Sequence, residues 1–286
     1  MKLRPLLAGL IAGTTALLSP TTSRAELFSY YVGIDDRLTI PTGTYAGLAN
    51  PNLNRLTFLY APTYEGVPST WHYHSKATFI YTGPNLGLST AVGNSASNFV
   101  PEGTAPPIKL QLGTGIYDGK LITATYADPN QVTAFSSALT IGSTQSLAGF
   151  GPTAGETFLF NSSGGRWDSA FTDADLHFEL VSLTPGLNFG GLSALDIGMN
   201  AAGDDYHLAA GLANNSFSFT PVLWTEANAA PGIYEATFKL VDESNTFGDS
   251  GIVRIRTEVV PEPSTVVTLL GGVGLLLARR RRMTLA

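Results

Sequence analysis

The chain contains no cysteine. Disulfides, thiolate metal ligands and a cysteine nucleophile are therefore excluded. At 286 residues it is long enough to bury a core without cross-links. Charge is scarce as well. Asp, Glu, Lys and Arg make up 13% of the residues, half the usual ~25%. The uncharged stretch near the C-terminus, Ser264 to Ala278, has 15 residues, short of the roughly 20 that an untilted membrane helix needs. No EF-hand spacing, Gly-x-Ser-x-Gly, His-Glu-x-x-His or phosphate loop occurs. Histidine is rare too, at four residues.

The longest apolar runs lie at the two ends. Lys2 and Arg4 precede an apolar core from Leu6 to Leu18, and Ser23-Arg24-Ala25 follows as a small-x-small cleavage site. Residues 1–25 read as a signal peptide, with the mature body starting near Glu26. At the other end, Pro261-Glu262-Pro263 precedes an uncharged stretch from Ser264 to Ala278 and then Arg279 to Arg282. Gly271, Gly272 and Gly274 weaken that stretch as a helix. It is a short span with a cytoplasmic basic anchor, which leaves the body outside.

Setting both ends aside changes the charge balance. The whole chain carries −6, but residues 26–260 hold 9 basic and 21 acidic residues, a net −12. Such a body is unsuited to nucleic acid and to anionic lipid.

Gly (31) and Pro (17) break the body into short segments. Tyr234, Ala236, Phe238 and Leu240 alternate with Glu235, Thr237 and Lys239, as a half-buried strand does. Val253, Ile255, Thr257 and Val259 alternate with Arg254, Arg256 and Glu258 in the same way. Further strands are expected over 56–60, 71–81, 108–112, 121–126, 157–160, 176–183 and 216–220. Turns are expected at 83–85, 128–130, 162–165, 185–186 and 231–232. The best helical alternative is 194–215, weakened by Gly198, Gly203 and Gly211. The fold class is therefore all-β, an antiparallel β-sandwich. His74 and His177 are each followed by a Gly/Pro turn and then by Gly-Ile-Tyr opening a strand, at 115–117 and 232–234. Two related β-units, split within 127–157, are one reading of that echo; chance recurrence is the other.

The four histidines carry the chemistry. His72 and His74 form His-x-His, which on a strand places both imidazoles on one face roughly 7 Å apart along it. Two such rings can converge on one metal at about 2.0–2.1 Å from each nitrogen. His177 would share a face with Glu179, and His207 follows Asp204-Asp205. Asp175 or Asp205 could hold an imidazole's second N–H, and Glu179 could add a ligand. The candidate metal set is His72, His74, His177 and His207. With nitrogen and oxygen donors only, zinc leads, with copper or nickel behind. Calcium is conceivable but has no motif.

Two resemblances add to this. The tail, with Pro261, Glu262 and Pro263 ahead of its apolar run and arginines, resembles the PEP-CTERM sorting signal of bacterial surface proteins. That implies processing by a membrane-embedded exosortase and a cell-surface or extracellular location. Trp71-His72-Tyr73-His74-Ser75, Tyr81-Thr82-Gly83-Pro84, Asn98 to Glu102, Leu110 to Gly119 and Leu176 to Leu187 resemble PEP-CTERM proteins repressed by the zinc-uptake regulator Zur. That resemblance implies an extracytoplasmic zinc-binding protein made under zinc starvation.

The expected function is non-enzymatic zinc scavenging or storage. One rival is a carbohydrate-binding protein of the exopolysaccharide matrix, using Trp71, Trp167, Trp224 and the tyrosines as platforms. Another is a zinc-dependent extracellular hydrolase. A glycosidase would draw on carboxylates such as Asp173/Asp175 or Asp204/Asp205.

Overall fold

A computed structural model of the protein describes residues 26–64, 67–82, 87–89, 98–100, 106–123, 139–210 and 216–260. The expected signal peptide, the Pro261-Glu262-Pro263 motif, the apolar tail and the turns at 83–85 and 128–130 lie outside the described residues. Among those described, no helix is long and apolar enough to cross a membrane.

In chain order the strands are β1 (Glu26–Asp35), β2 (Arg55–Tyr64), β3 (His74–Lys76), β4 (Ile80–Thr82), β5 (Gly87–Ser89) and β6 (Phe99–Val100). There follow β7 (Ile108–Lys109), β8 (Gln111–Leu112), β9 (Lys120–Ile122), β10 (Ile141–Ser143), β11 (Asp175–Leu183) and β12 (Asn188–Gly190). The last are β13 (Asp205–Ala210), β14 (Ser218–Phe219), β15 (Val222–Glu226), β16 (Gly232–Asp242) and β17 (Val253–Val259). Among the described residues one short α-helix, α1 (Gly155–Phe160), interrupts them.

The strands form a five-stranded sheet (β14-β10-β1-β2-β3), a six-stranded sheet (β13-β11-β16-β17-β6, with β7 also on β17), a four-stranded sheet (β12-β15-β9-β8) and the β4-β5 pair. Most pairings are antiparallel, as expected. β1–β10, β17–β6 and β17–β7 are parallel, so the two largest sheets are mixed. Parallel neighbours need a long return path, and β1 and β10 are far apart in sequence. The three larger sheets all draw strands from both sides of 127–157.

Alternation explains the six-stranded sheet. Leu176, Phe178 and Leu180 of β11 are buried, while Asp175, His177 and Glu179 face outward. On β17, Val253, Ile255, Thr257 and Val259 point inward in the same way. Leu176, Phe178, Leu180, Val253 and Ile255 share one core with Tyr30, Val32, Ile34, Leu56, Phe58 and Tyr60 of the five-stranded sheet. Phe58 packs edge-on against Phe238 at 5.4 Å between ring centres.

Residues 56–61 of β2 are buried without a break. The second face is covered by a smaller cluster of Leu59, Ala61, Tyr73, Leu147, Leu159 and Trp167. A strand covered on both sides reads as a continuous apolar run, not as an alternation.

Several local expectations change. Residues 157–160 are helical rather than extended, because α1 supplies Leu159 to that second cluster. The Thr157 hydroxyl donates to the carbonyls of Phe150 (3.1 Å) and Gly151 (2.8 Å), and the Asn161 side chain donates to the Thr157 carbonyl at 2.7 Å. A helix this short is held by packing, not propensity. Segment 194–215 contains β13 and no helix among its described residues, with Gly198 and Gly203 in left-handed turns at φ 84° and 91°. Gly115-Ile116-Tyr117 forms a 3₁₀ turn rather than opening a strand, unlike Gly232-Ile233-Tyr234 at the start of β16. Residues 108–112 divide between two sheets because β7 pairs with β17 and β8 with β9.

Gly155 lies against the Trp71 ring, where an added Cβ would stand 2.2 Å from Cζ3. Gly155→Ala should therefore lower stability by about 1–3 kcal/mol. An unchanged denaturation midpoint would contradict this contact.

Candidate metal centre

His177 and His207 meet across β11 and β13, the edge pair of the six-stranded sheet. Their backbones are directly paired, and their ring centres lie 5.0 Å apart. A register shift between Leu176 and His177 brings Asp175 toward both rings. Asp175 Oδ1 lies 3.3 Å from His177 Nε2 and 3.1 Å from His207 Nε2. Donors sharing a tetrahedral metal at 2.0–2.1 Å sit about 3.3 Å apart. Asp175, His177 and His207 thus hold three donor atoms at distances that a small cation could bridge.

The second nitrogen of His177 faces Asp205. Nδ1 is 2.6 Å from Asp205 Oδ2, but the contact is not aligned as a hydrogen bond, and Nδ1 is buried without a bonded partner. On the Nε2 side, Glu243 Oε2 stands 3.7 Å away. His177, Asp205 and Glu243 form a second overlapping group of donors. His177 is the most enclosed member, its side chain 12% exposed against 54% for His207. Among the described residues, no Lys or Arg pairs with Asp175, Asp205 or Glu243. The cluster is therefore a concentration of negative potential open to solvent on one side.

Asp242 holds this group in place. Its buried carboxylate accepts from the Asp175 N–H (2.8 Å), the Ser244 N–H (3.1 Å) and hydroxyl (2.7 Å), and the Phe247 N–H (2.8 Å). The Glu243 N–H in turn donates to the Asp175 carbonyl at 2.9 Å. Asp242 thus ties the first residue of β11 to the turn that carries Glu243. Sequence reading missed it. Asp242 followed by Ser244, two residues on, is an Asx-turn signal that could have located the turn but not its partner strand.

Burial alone would push the Asp242 carboxyl up. The Ser244 hydroxyl and the N–H groups of Asp175, Phe247 and Ser244 bind its charged form and bring it below its ordinary value. A depressed folded value contributes stability that is present above the unfolded carboxylate range and lost as pH falls through the folded value. Between pH 5 and 2 the native protein should therefore lose stability more steeply than Asp242→Asn. At neutral pH that variant should already be about 1–3 kcal/mol weaker, because an amide NH2 replaces one of the two acceptor oxygens and faces either the Phe247 N–H or the Asp175 and Ser244 donors. Urea midpoints across that range check both statements, and parallel pH slopes would count against them.

Glu179 does not join the histidines. Its carboxylate pairs with Lys239 at 3.2 Å, and Lys239 also reaches Asp249 at 3.2 Å. Burial opposes the Lys239 charge, but these partners outweigh it and raise the ammonium above its ordinary value.

His72 and His74 form a separate pair on the five-stranded sheet. β3 begins only at His74, so residues 71–73 are not extended strand. The two rings nevertheless converge, with Tyr73 buried between them in sequence and both Nε2 atoms 2.8 Å apart. Burial, with Tyr31 nearby, pushes the Tyr73 phenol up and keeps it neutral. His72 Nδ1 lies 2.8 Å from the Thr70 carbonyl and donates to it, which leaves Nε2 facing His74. The His74 ring stands edge-on to Tyr60. Among the described residues, neither histidine belongs to a group of three convergent donors. The four histidines thus divide into two pairs on different sheets.

The carboxylates considered for glycoside chemistry have other tasks. Asp173 occupies a left-handed turn position, and Asp204 accepts from the Asn200 and Ala201 N–H groups at 2.7 and 2.6 Å. Of the tryptophans, Trp167 is buried in the second cluster, Trp71 covers Gly155, and Trp224 lies under Lys120.

Compared with family models, with characterised proteins and with solved structures, the chain matches none.

Proposed function

We propose that this is an exported, surface-sorted protein that captures zinc without chemical turnover, as a scavenger or store under zinc limitation. One observation carries the reading: two imidazole Nε2 atoms and one carboxylate oxygen converge on β11 and β13 at 3.1 and 3.3 Å. Asp175, His177 and His207 would hold the ion. Asp205 would orient His177 through Nδ1, as carboxylates behind metal-bound histidines do. Glu243, exposed and close, would supply a fourth oxygen, or water would. The mixed nitrogen–oxygen set and the pair of histidines favour zinc over calcium.

Export rests on residues 1–25, and sorting on Pro261-Glu262-Pro263 with the apolar and arginine segments behind it. An exosortase-type enzyme would be the processing partner. The resemblance to Zur-repressed PEP-CTERM proteins agrees with zinc capture. In this reading, the two large sheets face each other as a β-sandwich, with the metal site on an outer edge.

The test is metal analysis of residues 26–260 after zinc exposure and desalting. About one zinc per chain is expected, lost in His177→Ala/His207→Ala and retained in His72→Ala/His74→Ala. Near-zero zinc in the native body would overturn the proposal. Loss only in the His72/His74 variant would move the site to that pair. Hydrolysis of a glycoside or ester panel that disappears on chelation would replace storage with catalysis.

A further inference from the structure

A cleft of about 450 Å³ opens beside the 37–52 segment, lined by that segment and by 75–81. This is within the size range of small-ligand sites. It shares no residue with the His177 cluster. Its floor is pre-organised. The Asn50 side chain donates to the Arg37 carbonyl at 2.8 Å, and Asn52 exchanges two hydrogen bonds with the Phe79 backbone at 2.6 and 2.9 Å. Tyr45 and Tyr81 line the cleft with their ring centres 5.7 Å apart, and the Tyr81 hydroxyl is fixed to the Ala49 carbonyl at 2.9 Å.

Arg37 is the decisive residue. The body has 9 basic against 21 acidic residues, yet the Arg37 guanidinium pairs with no carboxylate among those described, and only its backbone N–H donates to Asp35 Oδ1. Among the described residues its side chain engages only through Nη2, which donates to the Ser163 carbonyl at 3.1 Å. The other arginine lining the cleft, Arg166, is committed to Asp35. A guanidinium with donors to spare suits a carboxylate on the ligand. Two tyrosines and the hydroxyls of Thr42 and Thr44 suit a body that is apolar on its ring faces and hydroxylated at its edges.

We infer that this cleft binds a hexuronate unit, with the sugar carboxylate on Arg37 and the ring against Tyr45 and Tyr81. The inference is independent of the zinc reading and is tested with EDTA present.

Titration of the full chain with trigalacturonate, followed by calorimetry, should give saturable binding, and maltotriose should give none. Arg37→Ala and Tyr45→Ala/Tyr81→Ala should each weaken binding by roughly tenfold or more. Arg37→Lys, which keeps the charge without the fork, should fall between. Near-UV circular dichroism identifies any variant that fails to fold, and Arg37→Lys then carries the comparison. Equal binding of maltotriose, undiminished binding in a folded Arg37 variant, or no binding of trigalacturonate would each overturn the inference.

Discussion

Zinc at a hundred times its dissociation constant should stabilise the folded body by about 2.7 kcal/mol. For a domain of this size, that is a rise in Tm of roughly 5–10 °C. The origin is mass action. The unfolded chain cannot hold the donor atoms of Asp175, His177 and His207 within 4.8 Å of one another, so an ion bound there would favour the native state. His177→Ala/His207→Ala should remove the shift. Asp205→Asn should retain it at saturating zinc but need about 10–100-fold more metal, because His177 Nδ1 loses the carboxylate behind it. The sign of the pH effect follows from competition. Imidazoles must give up protons to bind zinc, so the stabilisation should shrink from pH 7.5 to pH 5. An equal zinc-induced shift in the His177/His207 variant would remove this site from consideration.

Arg166→Ala should destabilise the protein by about 3–5 kcal/mol, the usual cost of leaving a buried charge without its partner. The Asp35 carboxylate at the end of β1 is fully buried. Arg166 grips it with both arms of the guanidinium, Nη2 to Oδ2 and Nε to Oδ1, the latter at 2.8 Å. The guanidinium also lies 4.2 Å from the centre of the Trp167 ring. This one residue thus ties β1 to the segment that supplies the second core cluster. A Tm fall of roughly 6–20 °C is expected. The double variant Asp35→Asn/Arg166→Ala should recover part of the loss, since the buried group is then neutral. If the double variant is as unstable as the sum of the singles, the uncompensated charge is not the cause.

The six-stranded sheet was the most legible part of the fold. β11 and β17 alternate, and β16 does so from Phe238 to Asp242, because one face meets the core and the other meets water. The five-stranded sheet was harder. β2 is covered on both faces, and its buried run carries no period. α1 was misread as a strand because Thr157, Phe158, Leu159 and Phe160 favour extension in isolation. Its helical form depends on Leu159 reaching Trp167 and Leu59. The site followed the same division. The histidines stood out by rarity, and Asp175 and Asp205 by proximity in sequence. Glu179 was misplaced because Lys239, opposite it on β16, was not visible from β11 alone. Asp242 and Glu243 went unseen for the same reason.

By itself, then, the sequence determined the strand-rich body, its acidity, the absence of thiol chemistry and the short list of residues able to hold a metal. These follow from composition and from local period, which act over a few residues. Only the tertiary structure decided that the four histidines form two pairs rather than one set, and that His177 meets His207 with Asp175 between them. Strand pairing is responsible. Register between β11 and β13 is set by the core face of each strand and by the shift at Leu176/His177, and no window along the chain contains both partners.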